Sequence, residues 1–224
     1  MKKLVSFFFG LLIFILLPIL GWGITDFNGF IANPYRTAFL GMMIILSLLV
    51  VIIVPNEGRG FGNGDDKKLI KRQKFTILFL QILPVLINVF SPHFDRNQIY
   101  TFNESNAIRI LGLALTFIGF FLMNWSILIL GKQFSVNVTI QENHKLITKG
   151  PYKLIRHPRY LGIIVFLVGI PLIFLSVIPL FVDIVLISIL IWRIKDEEEL
   201  MNKEFNEEWI NYKKKTYSLI PFIY

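Results

Sequence analysis

Apolar runs of membrane-span length recur from one end of this chain to the other, and no polar block between them is long enough to fold by itself. Residues 4–22 (LVSFFFGLLIFILLPILGW) suffice to cross about 30 Å of hydrocarbon as a helix. A second run covers 35–54, and a weaker third covers 75–90, carrying Gln81, Pro84 and Asn88. The fourth covers 107–130. The fifth and sixth share 161–192, where Pro179 after Ser176 marks a turn between two shortish helices. Lipid offers the backbone no hydrogen-bond partner, so each run must satisfy its own. The expected fold is therefore all-α: a polytopic integral membrane protein of about six transmembrane helices ending in a helical hairpin. Met1-Lys2-Lys3 ahead of the first run has the look of a signal peptide. The run exceeds the usual apolar core of such peptides and lacks a small-x-small cleavage site, so a retained span is expected.

Charge placement sets the orientation. The formal net charge is +8 in a chain that is 54% hydrophobic. Six crossings put the amino terminus, the 55–74 loop, the 131–160 segment and the 193–224 tail on one side, and these hold 20 of the 23 Lys and Arg residues. Arg36, Arg96 and Arg109 fall on the other side. The positive-inside rule then predicts a multi-pass protein of the cell membrane with both termini cytoplasmic. It also supports the weak third run, because two basic loops on one side need an even number of crossings between them. Trp22, Tyr35, Tyr160 and Trp192 fall at the expected interfaces.

The positive charge is thus topological, and no nucleic-acid partner is expected. Membrane lipid is one: Lys213, Lys214 and Lys215 are placed to attract anionic headgroups. With no cysteine, disulfides, thiolate zinc sites and cysteine nucleophiles are excluded. The three histidines lie apart without carboxylate partners, so no metal site is expected. His93 reads as surface. Asp183 is costly inside the sixth run unless it faces protein or water; a helix-start role and a substrate-path role both stay open.

Two polar segments invite a functional reading. VVIIVPNEGRGFGNGDD (50–66) has the glycines of a phosphate loop. Its preceding apolar run is a full span rather than a short strand, and DDKKLIKRQK follows instead of a helix start, so it reads as a cytoplasmic loop. The segment from Gly131 to Tyr160 has no apolar stripe of span length. Gly150-Pro151 breaks any helix, and Pro158 biases His157 toward extended backbone. Rigid non-helical backbone beside a membrane makes sense where it lines a cavity.

The pattern Q…H-x-L-[IV]-x-x-G-P-Y-x-x-x-R-H-P-x-Y-x-G runs from Gln141 to Gly162. An apolar hairpin follows, then R-x-x-x-E-E from Arg193 and F-x-x-x-W-x-x-Y…P-F-I from Phe205. Over about 130–224 this resembles the isoprenylcysteine carboxyl methyltransferase family, integral-membrane enzymes that use S-adenosylmethionine and are related to phospholipid methyltransferases. The resemblance implies one membrane domain over 1–224, with spans one to three in 1–106. A methyltransferase-like core over 107–224 would flank its hairpin with cytoplasmic cofactor-binding segments. It further implies that Gln141, His144, Lys145, Leu146, Ile147, Tyr152, His157, Pro158, Arg159, Tyr160 and Glu197 hold the cofactor, with Lys145 and Arg159 contacting it through backbone. Arg193 would be the catalytic residue that faces the methyl acceptor.

The expected acceptor is lipophilic, such as the carboxylate of a prenylated cysteine, with a phospholipid amine or a small thiol as alternatives. NADPH-dependent sterol reductases carry a similar R-H-P element, and a non-enzymatic membrane protein is a further alternative. Arg193–Glu197, Lys195–Glu199 and Glu199–Lys203 are also spaced as ion pairs on a solvated helix. Reporter fusions after residues 30, 65, 98 and 145 are expected to read out, in, out, in; a cytoplasmic signal at 98 would remove the third and fourth spans together.

Overall fold

The structure is a computed structural model that describes residues 2–53, 73–134 and 145–222. These residues are helical and turn-forming, with no strand among them beyond two isolated bridges. The first apolar run forms α1 (Lys2–Leu11), a π-helical stretch (Leu12–Leu16) and α2 (Leu17–Trp22), which bends by 87° into the segment leading through α3 (Phe27–Ile31). The longer helices are α4 (Pro34–Ile53), α5 (Gln73–Asn97), α6 (Asn106–Leu130), α7 (Pro158–Ile173) and α8 (Ile178–Phe205), with α9 (Glu207–Lys214) in the tail.

Among the described residues three helices, α4, α5 and α6, are long and apolar enough to cross a membrane, and the bent first run makes up to four. The expectation of about six rests on α7 and α8 as well. α7 has only 16 residues, and the upper part of α8 carries Asp183 and Arg193. Neither satisfies length and apolarity together.

Helix starts follow local chemistry. Asn33 accepts from the Tyr35 amide at 3.0 Å ahead of Pro34, and Ser105 accepts from Ile108 at 3.4 Å ahead of α6. Pro158 opens α7 where its missing N–H costs nothing. α6 and α7 run side by side at glycine contacts: a Cβ on Gly119 would lie 2.2 Å from the Phe166 amide nitrogen. Only a residue without a side chain permits that approach.

The far end of the bundle is tied by charge. Asp95, at the end of α5, is 1% exposed and accepts from Arg36 at 2.9 Å and Arg109 at 3.1 Å. Arg36 also donates to the Phe30 and Gly29 carbonyls and lies 4.2 Å over the Trp22 ring. Arg109 reaches Glu104 at 2.8 Å and the Ile173 carbonyl at 2.6 Å. Arg96 meets Asp26 and the Trp22 carbonyl. The three arginines assigned by counting to one side thus gather at one end, two of them as buried ties among α4, α5, α6 and the end of α7.

The α7–α8 turn is held there too. Ser176 donates to the Ser91 carbonyl at 2.6 Å, while the Phe102 amide donates to the Leu175 carbonyl and the Val177 amide to the Tyr100 carbonyl, joining the turn to the α5–α6 connection. His93 is exposed, as expected, and Asp183 is buried five residues into α8 with neither oxygen hydrogen-bonded among the described residues. It faces protein rather than lipid, but burial without a partner leaves its cost unmet.

Removing one partner of a buried ionic cluster strands the others. Asp95→Asn is expected to cost about 3–5 kcal/mol in detergent unfolding. Glu104→Gln, at a side chain 62% exposed, is expected to cost about 1 kcal/mol or less.

Candidate active site

At the other end, the hairpin brings the R-H-P segment against the start of the polar half of α8. Gly150, at φ +57°, and Pro151 turn the chain into a single 3₁₀ turn over Gly150–Lys153. Residues 154–157 then run beside the tail, with Leu154 in the helical region and His157 at φ −121°, ψ 53° rather than in the extended conformation expected ahead of Pro158. The Arg156 and His157 amides donate to the Tyr217 and Ser218 carbonyls at 2.8 and 3.0 Å, and the Tyr217 amide donates back to Leu154 at 3.0 Å. Tyr212 of α9 donates to the Tyr152 carbonyl at 2.7 Å, and burial pushes its phenol up to about 12. The segment that sequence reading marked as rigid is therefore strapped down by the last turns of the chain.

Two neighbouring carboxylates organise the cluster. Glu197 accepts from the Tyr160 hydroxyl at 2.7 Å, and the same hydroxyl accepts from Arg193 Nε at 2.9 Å. Its other oxygen lies 4.0 Å from His157 Nδ1, and the His157 ring stacks on Tyr160 with centroids 5.7 Å apart. Glu198 takes the opposite side: Arg156 at 2.8 Å, Ser218 at 3.1 Å, His157 Nε2 at 3.3 Å and Lys213 at 2.9 Å. Burial opposes its charge, but the hydrogen bonds from His157, Lys213 and Arg156 win and hold it well below the usual carboxylate range. Tyr152 is buried, and burial followed by the nearby Glu197 charge raises its phenol well above the ordinary value.

Of the residues expected from sequence, Tyr152, His157, Arg159, Tyr160, Arg193 and Glu197 converge here, and Pro158 sets the helix start beneath them. Arg159 lies 4.7 Å over the Phe134 ring. Lys145 is exposed, with its amide on the Gln133 side chain at 3.3 Å, and Leu146 and Ile147 are half-buried on the approach to Gly150. Gln141 and His144 lie outside the described residues. Lys203 and Glu199 do form the expected exposed ion pair. Arg193 and Glu197 are linked instead through Tyr160, which spacing alone does not reveal. Sequence reading passed over Glu198, Arg156 and the 216–218 strap; the doubled glutamate and the R-H-P arginine were the available signals. A cleft of about 360 Å³ between α8 and α9 has Glu198, Lys195, Trp209 and Lys213 on its walls and none of the expected site residues.

The fold and this cluster define a helical membrane protein whose polar site is assembled at one end of its carboxyl-terminal hairpin. Residues 111–203 match the model of the isoprenylcysteine carboxyl methyltransferase (ICMT) family. A probable protein-S-isoprenylcysteine O-methyltransferase of Oryza sativa subsp. indica is 30% identical over 123 residues, 52% of this chain and 62% of the relative. The Saccharomyces cerevisiae protein-S-isoprenylcysteine O-methyltransferase is 31% identical over 63% of this chain and 60% of its own length. That of Tribolium castaneum is 23% identical over 86% and 76%. The chain thus spans about six-tenths of the length of the plant and yeast relatives. The structure of a eukaryotic intramembrane Ras methyltransferase ICMT aligns with a TM-score of 0.49 at 18% identity, covering 99% of this chain and 96% of that one.

Glu198→Gln is expected to weaken the docking of the tail by about 1.5–3 kcal/mol, read as faster proteolysis beyond Asn206. Because its folded value is depressed, Glu198 contributes stability that is present above the unfolded carboxylate value of ~4.3 and is lost as pH falls below it. Wild type should therefore lose tail protection progressively as pH falls below about 5, with the loss continuing below about pH 3, and the Gln variant should show a smaller change.

Proposed function

We propose that this protein transfers a methyl group from S-adenosylmethionine to a lipophilic acceptor within the membrane, most readily the carboxylate of a prenylated cysteine. The observation that carries the reading is the Tyr160 hydroxyl, shared between Glu197 and Arg193 across the two ends of the hairpin. The ICMT match over 111–203 and the names of the relatives support it.

The residues fit the cofactor by their chemistry. Glu197 offers a carboxylate with its Oε1 side turned toward His157, suited to an ammonium, while Tyr152, Tyr160 and His157 offer flat walls and polar edges. When bound, S-adenosylmethionine supplies a methyl group activated by its sulfonium. Arg193 holds the acceptor carboxylate, and Tyr160 fixes the Arg193 side chain by accepting from its Nε. Burial of Tyr152, His157 and Arg193 excludes water, so alignment rather than proton transfer is the protein's contribution. A carboxylate acceptor needs no general base. The amino-terminal spans over 1–106 shape entry of the acceptor from lipid. In the intact protein six helices cross the cell membrane, with both termini and the site at the cytoplasmic face.

Calorimetry in detergent is expected to show binding of S-adenosylmethionine and S-adenosylhomocysteine, and purified protein should methylate a farnesylated cysteine. Binding of NADPH and of neither nucleoside would hand the site to the reductase alternative. Glu197→Gln should weaken nucleoside binding roughly ten- to a hundredfold. Arg193→Ala should leave it nearly unchanged and lower turnover by a similar factor. Two variants that behave alike, with stability the only change, would reduce the pair to a structural helix contact.

A further inference from the structure

Arg159 is the one cation in this cluster whose use is not yet explained. It occupies the second position of α7, one residue after the R-H-P turn, with its guanidinium over Phe134. Its Nε is buried and has no hydrogen-bond partner among the described residues. A buried N–H left unmade costs roughly 1–3 kcal/mol, so such a group signals a partner that arrives from outside the chain. Tyr152, Tyr160, Arg193 and Glu197 are its charged or ionisable neighbours. Among the described residues no ion pair takes Arg159 up: Glu197 is engaged by Tyr160, and Glu198 by Arg156, His157, Lys213 and Ser218.

Tyr152 has both Glu197 and Arg159 within electrostatic reach. A negative and a positive side chain therefore both act on one buried aromatic residue, a pairing of charges that suits a zwitterion. Arginine is the side chain best suited to take a carboxylate, because its planar fork matches two oxygens and its charge persists in a dry site. Stacking on Phe134 holds that fork in place before the ligand arrives, which reduces the ordering cost of binding.

We propose that the Arg159 side chain binds a carboxylate within this site, namely the α-carboxylate of the cofactor's amino-acid end, while Glu197 takes the neighbouring ammonium. The assignment rests on the methyltransferase reading and goes beyond the backbone contact that the resemblance implies for this position. It separates two carboxylates between two arginines: Arg159 for the cofactor's, Arg193 for the acceptor's.

The test is calorimetric titration of the full-length protein with S-adenosylhomocysteine and with its decarboxylated counterpart, in the absence of acceptor. Wild type is expected to prefer the carboxylate-bearing nucleoside by roughly ten- to a hundredfold. Arg159→Met, which keeps the stem over Phe134, should lose that preference by weakening the first ligand alone, and Arg159→Lys should recover part of it. The comparison of two ligands on wild type stands even where a variant does not fold: equal affinity there overturns the proposal. So does a Met variant that loses both ligands equally or neither. A variant that titrates normally but shows a raised KM only for a farnesylated cysteine assigns Arg159 to the acceptor and overturns the cofactor assignment. Wild type that binds neither nucleoside overturns the methyltransferase reading, and this assignment with it.

Discussion

Asp95 lies between two guanidinium groups, 1% exposed, and through them α4, α5, α6 and the end of α7 share one anchor. A lone carboxylate there would be very costly, and so would either arginine. Together, with Glu104 and the backbone carbonyls of Gly29, Phe30 and Ile173 taking further donors, they form a hydrogen-bonded cluster. Such a cluster specifies geometry: Arg109 on the Ile173 carbonyl and Ser176 on the Ser91 carbonyl set the height of the α7–α8 turn. The two ends of that hairpin then meet at the opposite face, where His157 and Tyr160 stand across from Arg193, Glu197 and Glu198.

The site is built from two carboxylates adjacent in sequence with different tasks. Glu198 faces the strap and is consumed by Arg156, His157, Lys213 and Ser218. Glu197, about 100° around the helix, faces Tyr160. His157 lies between them, nearer to Glu198, and couples the tail's docking to the ring that stacks on Tyr160.

Much of this was legible in the chain. Apolar runs located α4 and α6 to within a residue or so, since lipid demands continuous self-bonded backbone, whereas α5 and α8 run on to Asn97 and Phe205, well past the expected ends. The G-P-Y, R-H-P-x-Y and R-x-x-x-E-E elements pointed to Tyr152, His157, Tyr160, Arg193 and Glu197, which the fold brings together. Counting of basic residues placed Arg36, Arg96 and Arg109 together without revealing what two of them hold. Asp95 and Glu104 were not singled out because a carboxylate near a helix end looks the same whether solvated or buried. The span number also stops short: α7, with 16 residues, and α8, with Asp183 and Arg193, do not meet length and apolarity at once.

The sequence by itself determined what is local: where helices start, that Gly150-Pro151 and Pro158 forbid a continuous helix through residues 150–158, and which side chains bear chemistry. Tertiary structure decided who meets whom. Arg193 and Glu197, four residues apart, read as an ion pair by spacing, yet the Tyr160 hydroxyl from the other arm of the hairpin links them. Glu198 and Arg156 lie 42 positions apart and pair at 2.8 Å because the tail folds back beside residues 154–157. Local periodicity carries no information about such contacts. They depend on a turn held some 16 residues away along α7, at the far end of the bundle.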